Sequence, residues 1–278
     1  MKKFSLLTRR FWKKKLGRNQ VSKRQQFVIV TTVLTALLII TQLSRTELRY
    51  DLIVGLAIAT YIGCSIALRE DLKGIEFFTL LVLPTLFTTA VSLFYFLLPA
   101  RLIIRLPIAI GYFIGIYALL LTENIYNVAV ERSIQLLRAG QGVGLLISII
   151  TMFFLTDAAI SLHLGPFGKS GFIVLIVTPL ALQALWSMEL SVRFSPAVMR
   201  TTGVIVFLLA QAAFVFAFWP IQATIEALFL TTAFYTLVGM GQQHLVGRLF
   251  SKTKIEFITV LVAIFAVVVF VTQWGSGQ

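Results

Sequence analysis

Nine apolar stretches, each long enough to cross a bilayer, decide what this chain can become: Phe27–Leu43, Leu52–Leu68, Phe77–Leu98, Leu106–Thr122, Val143–His163, Phe172–Leu190, Gly203–Trp219, Gln222–Gly241 and Phe257–Gln273. A spanning helix needs about 20 predominantly apolar residues, with about 17–25 tolerated. Every stretch is bounded by charge, Gly or Pro. Inside lipid the backbone must satisfy its own hydrogen bonds, so runs of this length are helices. The alternating pattern of a membrane barrel is absent from the sequence. The expected fold is therefore an all-α polytopic membrane bundle. It divides into a basic tail at 1–26, a transmembrane domain at 27–273 and a short tail at 274–278.

Composition closes off the alternatives. The 278 residues are 58% hydrophobic and 13% charged, whereas soluble domains run at about 45–50% and about 25%. Such a chain has too little polar surface for a soluble enzyme, a nucleic-acid-binding domain or a disordered segment. The single cysteine, Cys64, allows neither an internal disulfide nor a cysteine-rich metal site.

The net charge of +13 is concentrated at one end. Residues 1–26 carry ten Lys and Arg and no acid, and the rest of the chain is close to neutral. The basic region is long, Phe27–Leu43 exceeds the apolar length of a secretory signal, and no Ala-x-Ala follows it. The expectation is a retained first span rather than a cleaved leader. Basic residues mark cytoplasmic segments. With the tail inside and sides alternating, inside segments hold nineteen basic residues and outside segments five. The expected topology is N-terminus in, C-terminus out, in the plasma (inner) membrane. Lys13, Lys14 and Lys15 lie in the tail, beside Phe4, Leu7 and Phe11 on a helical face, and the expected contact is with anionic lipids. No nucleic-acid partner is expected, because the charge lacks a folded groove.

The chain carries no phosphate-cradling Gly-x-x-x-x-Gly-Lys loop, no His-Glu-x-x-His and no Gly-x-Ser-x-Gly elbow. Its aspartates are widely spaced and its histidines number two, so no metal and no cofactor is expected. Two polar features remain. Between the fourth and fifth stretches, Asn124, Asn127, Glu131, Gln135 and Arg138 fall within about 80° of one helix face. If Glu123–Gly142 is one helix, ended by Gly140-Gln141-Gly142, this stripe is a cytoplasmic surface for solvent or a partner. Within spans, Asp157 and Glu226 are carboxylates roughly 6–9 Å from an outer end, with His163 nearby and Gln183 in the sixth stretch. Intramembrane acids are costly and usually face protein or water, so these four form a candidate polar site if their spans meet.

Three functions fit. The first is a non-enzymatic membrane scaffold or subunit, with a membrane-protein partner or a second copy of itself. The alternative is a small-solute or ion transporter-like protein using the intramembrane carboxylates. The third is a membrane enzyme acting on lipids.

Overall fold

The computed structural model describes residues 22–43, 48–68, 75–98, 102–131, 136–191 and 193–272. Among these residues the chain forms nine long helices: α1 Lys23–Leu43, α2 Arg49–Leu68, α3 Glu76–Leu97, α4 Leu102–Glu131, α5 Leu137–Ser161, α6 Pro166–Glu189, α7 Pro196–Phe216, α8 Ala223–Leu245 and α9 Ser251–Val271. Each is long and apolar enough to cross a membrane. Residues 1–21 of the basic tail, with Lys13, Lys14 and Lys15, lie outside the described residues, as do Gln135 and the last six positions.

Local chemistry sets several helix starts. Ser22 and Gln25 form a reciprocal capping box before α1: Ser22 N donates to Gln25 Oε1 at 3.0 Å, and Gln25 N donates to Ser22 Oγ at 3.4 Å. Ser195 Oγ caps α7 by accepting from Val198 N, with Pro196 in the first turn. Pro166 likewise opens α6. At the other end of α6, Leu190 adopts a left-handed conformation, and Trp186 Nε1 donates to Ser191 O at 2.9 Å.

Burial separates inner from outer helices. The apolar windows of α3, α5 and α6 are each 61% buried, and that of α9 only 6%. Helix α3 touches α1, α2, α4, α5 and α6. Helix α5 touches α3, α4, α6 and α8, while α9 packs along α8. The core is continuous from Phe27, Leu34 and Leu38 of α1 to Leu230, Phe234 and Val238 of α8. Thr88 of α3 joins three helices. Thr88 accepts from Thr60 of α2 at 3.2 Å, lies 3.0 Å from the Tyr112 hydroxyl of α4, and donates to Pro84 O. Three helices are tied there by side chains that are all buried.

One boundary departs from the sequence expectation. Glu123–Gly142 is not a single polar helix. The fourth span runs on as α4 to Glu131, and α5 begins at Leu137 and passes through Gly140, Gly142 and Gly144 without ending. Packing is the reason. A Cβ on Gly144 would stand 2.5 Å from Tyr126 Oη, and one on Gly140 would stand 3.2 Å from Ile125 Cγ2. These glycines are places where α4 and α5 touch, as small residues do in membrane bundles.

Candidate functional site

Glu123 of α4 is fully buried, and its Oε1 accepts from Gln183 Nε2 of α6 at 2.8 Å. Helices α4 and α6 do not pack along each other, so this bond spans the inner bundle from one helix to the next but one. The remaining atoms of the pair, Glu123 Oε2 and Gln183 Oε1, are buried without a hydrogen-bond partner.

Other side chains close the same tier. Tyr126 Oη donates to Gly140 O at 3.0 Å, joining α4 to α5. Gln141 Nε2 donates to Ser187 O at 2.9 Å, joining α5 to α6. Gln242 Nε2 donates to Ala184 O at 2.9 Å, joining α8 to α6. Glu123 stands eight residues from the end of α4 and Gln183 six from the end of α6, or roughly 9–12 Å along the axes. Asn127, one turn beyond Glu123 toward that end, is also buried. The tier thus holds one carboxyl among neutral amides and hydroxyls. No cation pairs with Glu123 among the described residues, and no group of three or more His, Cys, Asp or Glu there could hold a metal.

The four intramembrane residues singled out from sequence separate. Gln183 joins Glu123 near one end of the bundle. Asp157 and Glu226 are buried toward the opposite end, on the packed helices α5 and α8. Glu226 is bound to Lys169 of α6, whose Nζ donates to Oε2 at 2.9 Å and to Oε1 at 3.0 Å. Asp157 Oδ1 is buried and unpartnered. His163 is exposed in the turn after α5, in a left-handed conformation, with Nδ1 2.8 Å from Ser161 O.

The stripe residues divide as well. Asn124 is half-buried and Asn127 buried on α4, Glu131 is the last residue of α4, and Arg138 is exposed in the first turn of α5. Asn127 is therefore an interior group and not a cytoplasmic surface. Sequence reasoning missed Glu123 because the fourth apolar stretch was ended at Thr122, one residue short. The available signal was spacing: Glu123, Asn127 and Glu131 recur every fourth residue on one face.

Residues 65–271 match a family described as a protein of unknown function, DUF5656. The chain belongs to the DUF5656 family. The match takes in α3 to α9 entire, and with them Glu123, Tyr126, Gln141, Gln183 and Gln242. No curated protein and no solved structure matches the chain. What is shown is a multi-pass membrane protein of unknown function.

Proposed function

We propose that this protein is an ion-coupled, transporter-like membrane protein whose coupling group is the carboxyl of Glu123. One observation carries the reading. The two orphaned atoms, Glu123 Oε2 and Gln183 Oε1, belong to side chains whose other halves already meet at 2.8 Å. A single proton on Oε2 serves both. The carboxylic acid then donates to the amide oxygen while the amide donates back. An ionised carboxylate in this place has no cation, and uncompensated buried charge is costly. Release of the proton removes the acid's donation to Gln183 Oε1 and leaves the amide bond to Oε1 holding an uncompensated charge, which favours a rearrangement of α4 against α6 that brings water or a cation to the carboxylate and so couples a proton to a helix movement. Intramembrane carboxyls commonly mark proton relays. Asn127 supplies a polar step from Glu123 toward the helix end. The charge count supports placing that end in the cytoplasm and the chain in the plasma membrane.

The test uses the purified full chain. Infrared difference spectra across a pH change should show a protonated carboxyl band that responds to pH and disappears in Glu123→Gln but persists in Glu226→Gln. In proteoliposomes, pH-driven uptake found by a solute screen should be lost in Glu123→Gln while the variant stays monodisperse. A Glu123 band indifferent to pH, or uptake unchanged in Glu123→Gln, overturns the reading and leaves a neutral structural cross-link.

A scaffold or subunit role is the second reading, favoured by α9. Val268 is its one buried residue, and Phe270 is 87% exposed. Phe270→Cys should then give a disulfide-linked adduct in native membranes, and monomer alone would end that reading.

A further inference from the structure

At the end of the bundle away from Glu123, a cleft of about 380 Å³ opens between α1, α3 and α4. That volume falls within the roughly 300–1,000 Å³ of ligand sites. Its walls are apolar: Ile39 and Leu43 of α1, and Leu106 and Ala109 of α4. Three polar side chains also line it: Gln42, Tyr95 and Arg105. Gln42 is 7% exposed, yet its Nε2 is buried without a hydrogen-bond partner. Arg105 Nε is in the same condition, and no ion pair engages Arg105 among the described residues. Buried donors left unpaired are expensive and call for an acceptor.

We propose that this cleft binds an anionic phospholipid, with the phosphodiester at Gln42 and Arg105 and an acyl chain against Ile39, Leu43, Leu106 and Ala109. The chemistry selects this ligand in three steps. A guanidinium beside an amide donor matches phosphate oxygens, which accept from both. Gln42 is one residue from the end of α1, Tyr95 two from the end of α3 and Arg105 three from the start of α4. All three polar groups therefore sit at helix ends, where headgroups lie. The apolar walls would give a free phosphate ion nothing, whereas an acyl chain covers them. Leu106 and Ile39 are exposed on the lipid side, so the site is open to a lipid arriving within its leaflet. The site is separate from the Glu123 tier, and its failure leaves the coupling proposal standing.

The experiment is native mass spectrometry of the full chain in a nonionic detergent. Titrations use phosphatidylglycerol, phosphatidylcholine, a fatty acid and inorganic phosphate as separate arms. Phosphatidylglycerol should be retained about tenfold more strongly than the others, and that preference should vanish in Arg105→Gln combined with Gln42→Leu; tenfold is the scale of one charge-assisted hydrogen bond. Ile39→Trp alters an exposed position, so folding is spared, and it should weaken phosphatidylglycerol by crowding the acyl wall. Wild-type protein photolabelled with a diazirine-acyl phosphatidylglycerol should carry label on the peptides holding Ile39–Leu43 or Leu106–Ala109. Equal retention of all lipids, preference for the fatty acid, displacement by inorganic phosphate, or label spread evenly over α7 and α9 overturns the proposal.

Discussion

A carboxyl inside a bilayer-spanning bundle is defined by its partners, and the two buried glutamates make the contrast. Glu226 has a lysine and behaves as half of an ion pair near a helix end. Glu123 has an amide for its partner and no cation among the described residues. Removing one member of a buried ion pair leaves the other charge uncompensated, so Lys169→Met should destabilise the protein by about 3 kcal/mol. Lys169→Met with Glu226→Gln should recover most of that loss, read as unfolding midpoints in detergent. A double variant no more stable than the single would show that the bridge itself, and not the stranded charge, holds α6 to α8. For the tier, Gln183→Leu should cost about 1–3 kcal/mol by leaving Glu123 without its donor, measured in the same assay. The apolar stretches of the sequence enclose Glu226 and stop one residue short of Glu123. They do not say which one meets Lys169, a partner 57 positions away.

At the level of elements, helix identity follows from hydropathy, and helix ends follow from packing. A hydropathy window stops at the first charge, so the fourth stretch closed at Thr122. The backbone does not stop, because Glu123 is buried within the bundle and bonded to Gln183 of α6. The glycines of α5 show the same effect: Gly140-Gln141-Gly142 reads as a stop in the sequence, but the helix runs through it, and Gly140 and Gly144 meet α4 in the bundle. These glycines are not equivalent. Gly144→Ala drives a Cβ toward the Tyr126 hydroxyl, which is held by Gly140 O, and should cost about 1–3 kcal/mol by overpacking. Gly142 has open space around its Cβ position, so Gly142→Ala should be neutral or gain about 0.5–1 kcal/mol from lower unfolded-state entropy. Thermal midpoints of the two variants in detergent decide this, and equal midpoints would remove the packing argument. The tail is an element of another kind, governed by charge. A peptide of residues 1–26 should bind anionic vesicles and leave them at high salt, where charge is screened within about 3 Å at 1 M. Sedimentation with neutral vesicles to the same extent would contradict it.

For the whole molecule, the alternation of basic residues predicts that a reporter fused after Leu249 faces the cytoplasm and one fused after Gly165 faces outward. Inverted signals would mean that the charge count had been assigned to the wrong sides, and like signals would mean that one of the three helices between the two points does not span. The class of fold, the number of long apolar helices among the described residues and the positions of most of them were legible in the chain alone, since a run of about 20 apolar residues in lipid has one solution. So were the lack of nucleotide- and metal-binding motifs and the uneven charge. Tertiary structure decided the rest. It split Asp157, Glu226, His163 and Gln183 between two ends of the bundle. It paired Glu226 with Lys169, put Glu123 against Gln183, and left Gln42 and Arg105 facing an apolar cleft. The physical reason is one of range. Insertion into a bilayer is set by the hydropathy of a local segment, which a sequence displays directly. A hydrogen bond between helices depends on the rotation, depth and neighbours of each helix, and these are set by the packing of all the others.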